Sequence, residues 1–179
     1  HQHRGAADPH AWQDLRNIPT YLRNIAAGLS AADPSGAAAF ARNAEAATAR
    51  FQVLDEWVRG RIATVPPARR RIVTSHDAFG YFGAAYGVEF LSPQGVSTES
   101  EPSAAQVARL IRQIRATGTT AVFLENMAAP ATLERLAREA GVTVQGKLYA
   151  DALSAPDGPA PDFEAMVRHN VTLMVRAMG

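Results

Sequence analysis

The stretch Arg71-Ile72-Val73-Thr74-Ser75-His76-Asp77-Ala78-Phe79-Gly80-Tyr81-Phe82-Gly83-Ala84-Ala85-Tyr86-Gly87-Val88-Glu89-Phe90-Leu91 reads as strand, helix and strand in succession. Arg71-Ile72-Val73-Thr74 is a short apolar run of buried-strand type, residues 78–86 have helical spacing, Gly87 turns the chain, and Val88-Glu89-Phe90-Leu91 is a second strand. Downstream the rhythm continues. After a polar loop over 95–101, Pro102-Ser103 opens a helix over 104–116 with the apolar stripe Val107, Leu110, Ile111 and Ile114. A strand over 120–124, a helix over 130–140 closed by Gly141, a strand over 142–148 and a last helix over 162–178 follow. Alternation of this kind predicts an α/β fold, a parallel sheet flanked by helices.

Upstream of Pro66-Pro67 the chain is helical. Residues 14–29 carry Leu15, Ile18, Leu22, Ile25, Ala26 and Leu29 at helical spacing. Asp33-Pro34-Ser35 opens a second helix to about residue 62, with the stripe Phe40, Ala44, Ala47, Phe51, Leu54, Val58 and Ile62. At about 1.5 Å per residue it runs roughly 40 Å, the width of a domain. A helix this long is expected to bridge two lobes.

Composition sets the class. The 179 residues suffice for one domain with a real core, and 47% hydrophobic against 20% charged residues is a globular balance. A formal net charge of +1 gives no reason to expect nucleic acid as a partner. No run of about 18 apolar residues is present to span a membrane. The absence of cysteine excludes thiolate metal sites and disulfides without fixing the compartment. The chain opens in the polar stretch His1-Gln2-His3-Arg4-Gly5, which reads as a piece of a longer protein cut inside a loop.

In open α/β sheets, ligands gather at the carboxyl ends of the strands. His76, Glu125 and Asp151 each follow a predicted strand and so fall on one edge of the sheet. His10, in Asp8-Pro9-His10-Ala11-Trp12, precedes the first helix. Two imidazoles and a carboxylate make a normal zinc set and suit the harder manganese less well. Taken singly, His76 also reads as a cap of the next helix, Asp151 as a turn or helix cap, and His10 as a surface histidine. Glu125 reads as a ligand, a cap, or a carboxylate behind the ligands. Ser75-His76-Asp77 holds the residue types of a hydrolase triad, but adjacent residues point apart and cannot relay a proton.

Three runs together resemble the solute-binding proteins of zinc and manganese ABC transporters. They are Asp8-Pro9-His10-Ala11-Trp12, residues 72–87, and Leu148-Tyr149-Ala150-Asp151-Ala152-Leu153-Ser154, in matching order and spacing. Gly95-Val96-Ser97-Thr98-Glu99-Ser100-Glu101-Pro102-Ser103 and Phe123-Leu124-Glu125-Asn126 read as further segments of that family. The resemblance implies two α/β lobes joined by one long helix, with the metal in the cleft. It divides this chain into a remnant of the amino-terminal lobe (1–32), the inter-lobe helix (33–65) and the carboxy-terminal α/β lobe (66–179). Of the family's four ligand positions, His10, His76 and Asp151 match the second, third and fourth. The first, a histidine, would lie upstream of residue 1. Without that lobe, Ile18, Leu22, Ile25, Phe40 and Phe51 are expected to be partly exposed.

Histidine at the third position places the chain with the zinc-type members. The implied function is capture of Zn(2+) in the cleft and delivery to an ABC transporter permease in the inner membrane. The protein would be periplasmic or lipid-anchored outside the cytoplasm, with a metallochaperone as a further candidate partner. It would not be an enzyme, because four protein ligands leave no open position for an activated water. His1 and His3 read either as the tail of a His-rich loop or as the remnant of an affinity tag. Two rival readings stand beside this one. One is a manganese-binding lipoprotein with an adhesive role, carrying Mn(2+). The other is a zinc-dependent hydrolase with Glu125 as general base.

Overall fold

Among the described residues, four short strands after Pro67 form one all-parallel sheet in the order β2-β1-β3-β4. They are β1 (Arg71–Val73), β2 (Glu89–Leu91), β3 (Val122–Glu125) and β4 (Val144–Leu148). Six α-helices among the described residues accompany them: α1 (Ile18–Ala32), α2 (Ala37–Ala63), α3 (Gly80–Tyr86), α4 (Ala104–Thr117), α5 (Pro130–Ala140) and α6 (Phe163–Met178). The computed structural model describes residues 7–95, 102–127 and 130–179. His1, His3 and most of the predicted loop at 95–101 lie outside the described residues.

Alternation along the strands sends side chains to two cores. Ile72, Phe123 and Leu148 are fully buried among α2, α3 and α6, while Val73 and Val122 are buried against Val107, Leu110 and Ile114 of α4 and Leu133 and Leu136 of α5. Both faces are thus covered, as a parallel sheet requires. The predicted fold class holds.

The helix boundaries differ from the sequence reading for local reasons. Asp14 accepts hydrogen bonds from Arg16 N (3.0 Å) and from the Arg16 guanidinium, which tightens residues 11–17 into two short 3-10 turns. α1 therefore starts at Ile18, with proline in its first turn. Asp33 accepts from the Ser35 and Gly36 amides in the same way, so α2 starts at Ala37. In β4, Leu124 faces Lys147 where the register from Val122 and Val144 would have given Gly146. Gly146 sits there at φ 147, a backbone angle that suits glycine, and takes up the extra residue as a bulge.

Two of the expected exposed residues are buried. Ile18 (7%) and Phe51 (8%) belong to the larger core, where Phe51 meets Phe163 edge-on at 5.5 Å. For Phe51 the reason is that α6 packs against α2, so Phe51, Leu54, Val58 and Ile62 share one core with Val171 and Met174. Leu22 and Phe40 are half-buried, and Ile25 is 55% exposed. Among the aromatics of 79–86, Phe79, Phe82 and Tyr86 are buried and Tyr81 is exposed.

Candidate metal centre

His76 lies just past β1, buried to 1%. Its backbone N–H donates to Glu125 Oε1 (2.9 Å), and its Nδ1 faces Glu125 Oε2. The Thr74 hydroxyl donates to the His76 carbonyl (2.9 Å). Glu125 ends β3, the neighbour of β1, and its side chain is 0% exposed. The carboxylate therefore sits behind the imidazole, and the ring's other nitrogen, Nε2, points away from it.

His10 is held in the same style by a different residue. Asp8 Oδ1 accepts from His10 N (2.9 Å) and lies 2.7 Å from His10 Nδ1. The ring is buried between the edges of Trp12 (5.4 Å) and His76 (5.5 Å). Each imidazole thus has a carboxylate on Nδ1 and turns its Nε2 to the other side, the arrangement that fixes a metal-binding histidine in one orientation.

Asp151 closes the group from the loop after β4. Its Oδ1 lies 3.2 Å from His10 Nε2 and its Oδ2 3.3 Å from His76 Nε2. One ligand atom from each of the three residues lies within 4.8 Å of the others. Metal–ligand bonds of about 2.0–2.2 Å require ligand atoms roughly 3–4 Å apart. The two imidazole–carboxylate separations fall in that range and the donor types suit a divalent ion, which would draw the two imidazole nitrogens, within 4.8 Å of each other, closer together. The Asp151 side chain is 32% exposed, so the group opens to solvent on that side.

Electrostatics tie the three together. Burial works against charge on His76, but the Asp151 and Glu125 carboxylates outweigh it and the imidazole is pushed up to about 10. Burial likewise opposes charge on His10, and Asp151 and Asp8 raise it above its ordinary value. Hydrogen bonds from His10 and His76 hold the Asp151 carboxyl well below the usual carboxylate range. The metal-free site at neutral pH thus holds protons where a cation would sit.

A proton balance follows. A raised histidine stabilises the folded metal-free state fully below its unfolded value near 6.5, and that contribution is lost as pH rises through about 10. A metal must displace the same protons, so its affinity is expected to rise with pH over this window. Calorimetric zinc titration at pH 7.5, in buffers of different ionisation enthalpy, should show at least about one proton released per ion. Binding with no proton release would overturn this reading of the imidazoles.

The structure brings together His10, His76 and Asp151, with Glu125 behind them. Three contributors went unread in the sequence. Asp8 was legible, because an aspartate two residues ahead of a histidine can turn back onto it. Trp12 Nε1 donates to Ala150 O (3.3 Å), and Asn170, deep in α6, donates to Tyr149 O (2.7 Å) and accepts from Tyr149 N (3.0 Å). Neither of these two has a local signal, since both reach the site across long sequence separations.

Over residues 1–177 the chain matches the family model described as zinc-uptake complex component A, periplasmic. The chain belongs to this family. The manganese-binding lipoprotein MntA of Bacillus subtilis is 35% identical over 176 residues, covering 96% of this chain and 58% of the relative. MntA of Halalkalibacterium halodurans is 32% identical over 171 residues, covering 96% and 57%. Among solved structures, the periplasmic zinc binding protein TroA from Treponema pallidum superposes with a TM-score of 0.95 at 30% identity, covering 100% of this chain and 66% of that one. The chain thus spans a little over half the length of the curated relatives it matches. The resemblance read from the three sequence runs holds at the level of the family, whose relatives here carry names of binding proteins for either manganese or zinc. No helix among the described residues is long and apolar enough to cross a membrane.

Proposed function

We propose that this chain supplies three of four donors that capture a divalent metal ion outside the cytoplasm for an ABC transporter permease. The donors are His10 Nε2, His76 Nε2 and the Asp151 carboxylate. The observation that supports this most is their approach within 4.8 Å, with a carboxylate on the far nitrogen of each imidazole. In this reading the fourth donor and the facing lobe come from outside residues 1–179, residues 33–65 link the lobes, and residues 66–179 hold the ion from one side. The protein is periplasmic or lipid-anchored. A metallochaperone is not part of the reading.

The hydrolase alternative is disfavoured by Glu125. Its Oε1 accepts from the His76 backbone N–H and its Oε2 faces His76 Nδ1, away from Nε2, so it is not placed to take a proton from a metal-bound water. A site completed by a fourth protein donor also leaves no position for that water.

For the ion, the imidazole of His76 favours zinc, and the manganese-binding names of the 32% and 35% identical relatives favour the second reading. Nearly any nitrogen and oxygen site holds zinc more tightly than manganese, so the ratio of affinities is informative and its sign is not. Competition titration of the whole protein tests the choice. The variant His76→Glu is made together with Glu125→Gln, which spares the new carboxylate a buried negative neighbour. The zinc-to-manganese ratio is expected to fall by at least about tenfold, or about 1.4 kcal/mol. An unchanged ratio would show that selectivity lies elsewhere than at residue 76, and wild-type protein that binds neither ion would overturn the site.

A further inference from the structure

We infer that Asn126 is a positioning residue for the Asp151 carboxylate, and that Glu125-Asn126 sets both sides of the metal site before an ion arrives. The inference rests on the proposed ligand role of Asp151.

The sheet order puts β3 between β1, which leads to His76, and β4, which leads to Asp151. The chain leaving β3 serves both neighbours. Glu125 engages His76 at its backbone N–H and at Nδ1. Asn126, the next residue, engages the other loop. Its backbone N–H donates to Leu148 O (3.1 Å). Its side-chain Oδ1 accepts from Ala150 N (3.3 Å), and its Nδ2 donates to Ala152 O (3.1 Å). The amide therefore brackets Asp151, holding the residue before it and the residue after it.

An amide suits this task. It offers an acceptor on one atom and donors on the other, matched here to one backbone N–H and one backbone carbonyl. Aspartate offers no donor, and alanine neither group. The rest of the loop is held by other side chains. Asn170 takes both backbone groups of Tyr149, and Trp12 takes Ala150 O. Leu148 O, both backbone groups of Tyr149, both of Ala150 and Ala152 O are thus held by side chains or backbone on either side of Asp151. The carboxylate itself is free to face the two imidazoles, and its backbone has little freedom to carry it away. The hydrogen bonds of Asn126 among the described residues go to backbone atoms of Leu148, Ala150 and Ala152, so it acts through the loop.

The test is a double-mutant cycle on the whole protein, with zinc alone as the probe. Outer groups that orient ligands change metal affinity by about 10–100-fold when removed. Asn126→Ala is expected to weaken zinc by that factor. In the Asp151→Ala background the same change should have almost no further effect, because there is no carboxylate left to position. Thermal melts of the metal-free variants run alongside, and Asn126→Ser replaces Asn126→Ala under the same criteria if the latter does not fold. Unchanged zinc affinity in Asn126→Ala would overturn the inference, as would an equal loss in both backgrounds, which marks a general structural role. Wild-type protein that fails to bind zinc, or an Asp151→Ala variant that binds it as well as wild type, would instead overturn the ligand assignment.

Discussion

His76→Ala is expected to destabilise the metal-free protein by about 3–5 kcal/mol, in addition to removing a metal donor. The cause is Glu125. Its side chain is wholly buried, and its charged partner is the imidazole of His76. Truncation to alanine leaves a buried carboxylate facing a cavity, with the backbone N–H of residue 76 as the only compensating donor among the described residues. For a chain of this size, each kcal/mol lowers the melting temperature by about 2–4 °C. The loss should be coupled to Glu125 and not to packing alone. Glu125→Gln neutralises the stranded group, so His76→Ala combined with Glu125→Gln is expected to be more stable than His76→Ala by itself. Urea denaturation of the two single variants and the double variant measures this. Strictly additive effects would show that the pair is not coupled, and that the buried carboxylate is compensated from elsewhere.

Leu54→Ala should cost a further large amount, about 2–5 kcal/mol. Leu54 is 0% exposed in the second half of α2, within the core that includes Val58, Ile62, Val171 and Met174. Removing its isopropyl group leaves a void in the close-packed core, with little room to collapse. Val53, the preceding residue, is 62% exposed, and Val53→Ala should stay within about 0.5 kcal/mol. The pair is informative because a helix that merely spans two lobes would show no such contrast. Chemical denaturation of both variants checks it. A Leu54→Ala cost below about 1 kcal/mol would detach the long helix from the core described above.

Periodicity alone was enough for the fold class. Short apolar strands of four or five residues alternating with amphipathic helices have few alternatives to a covered parallel sheet, because each strand must bury both faces. Helix ends were read less well at residues 11–18 and 33–37, where aspartate side chains capture nearby amides and tighten the first turn. The bulge at Gly146 was invisible, since a glycine in a strand states no register until the neighbouring strand is in place.

The sequence by itself also determined that His10, His76 and Asp151 are the donor types of a metal site, and that two of them leave strands at one edge. It could not set their separations, because 66 and 75 positions divide them and the distance between strand ends depends on sheet order. Tertiary structure decided that β3 lies between β1 and β4. That single placement puts the Glu125 carboxylate behind His76 and the Asn126 amide around Asp151. It also decided that α2 is half core, since whether an apolar stripe is covered depends on what packs against it, and here α6 does. Residue chemistry is carried by each position alone, whereas orientation and burial come from neighbours distant in the chain, and only the folded molecule brings those neighbours together.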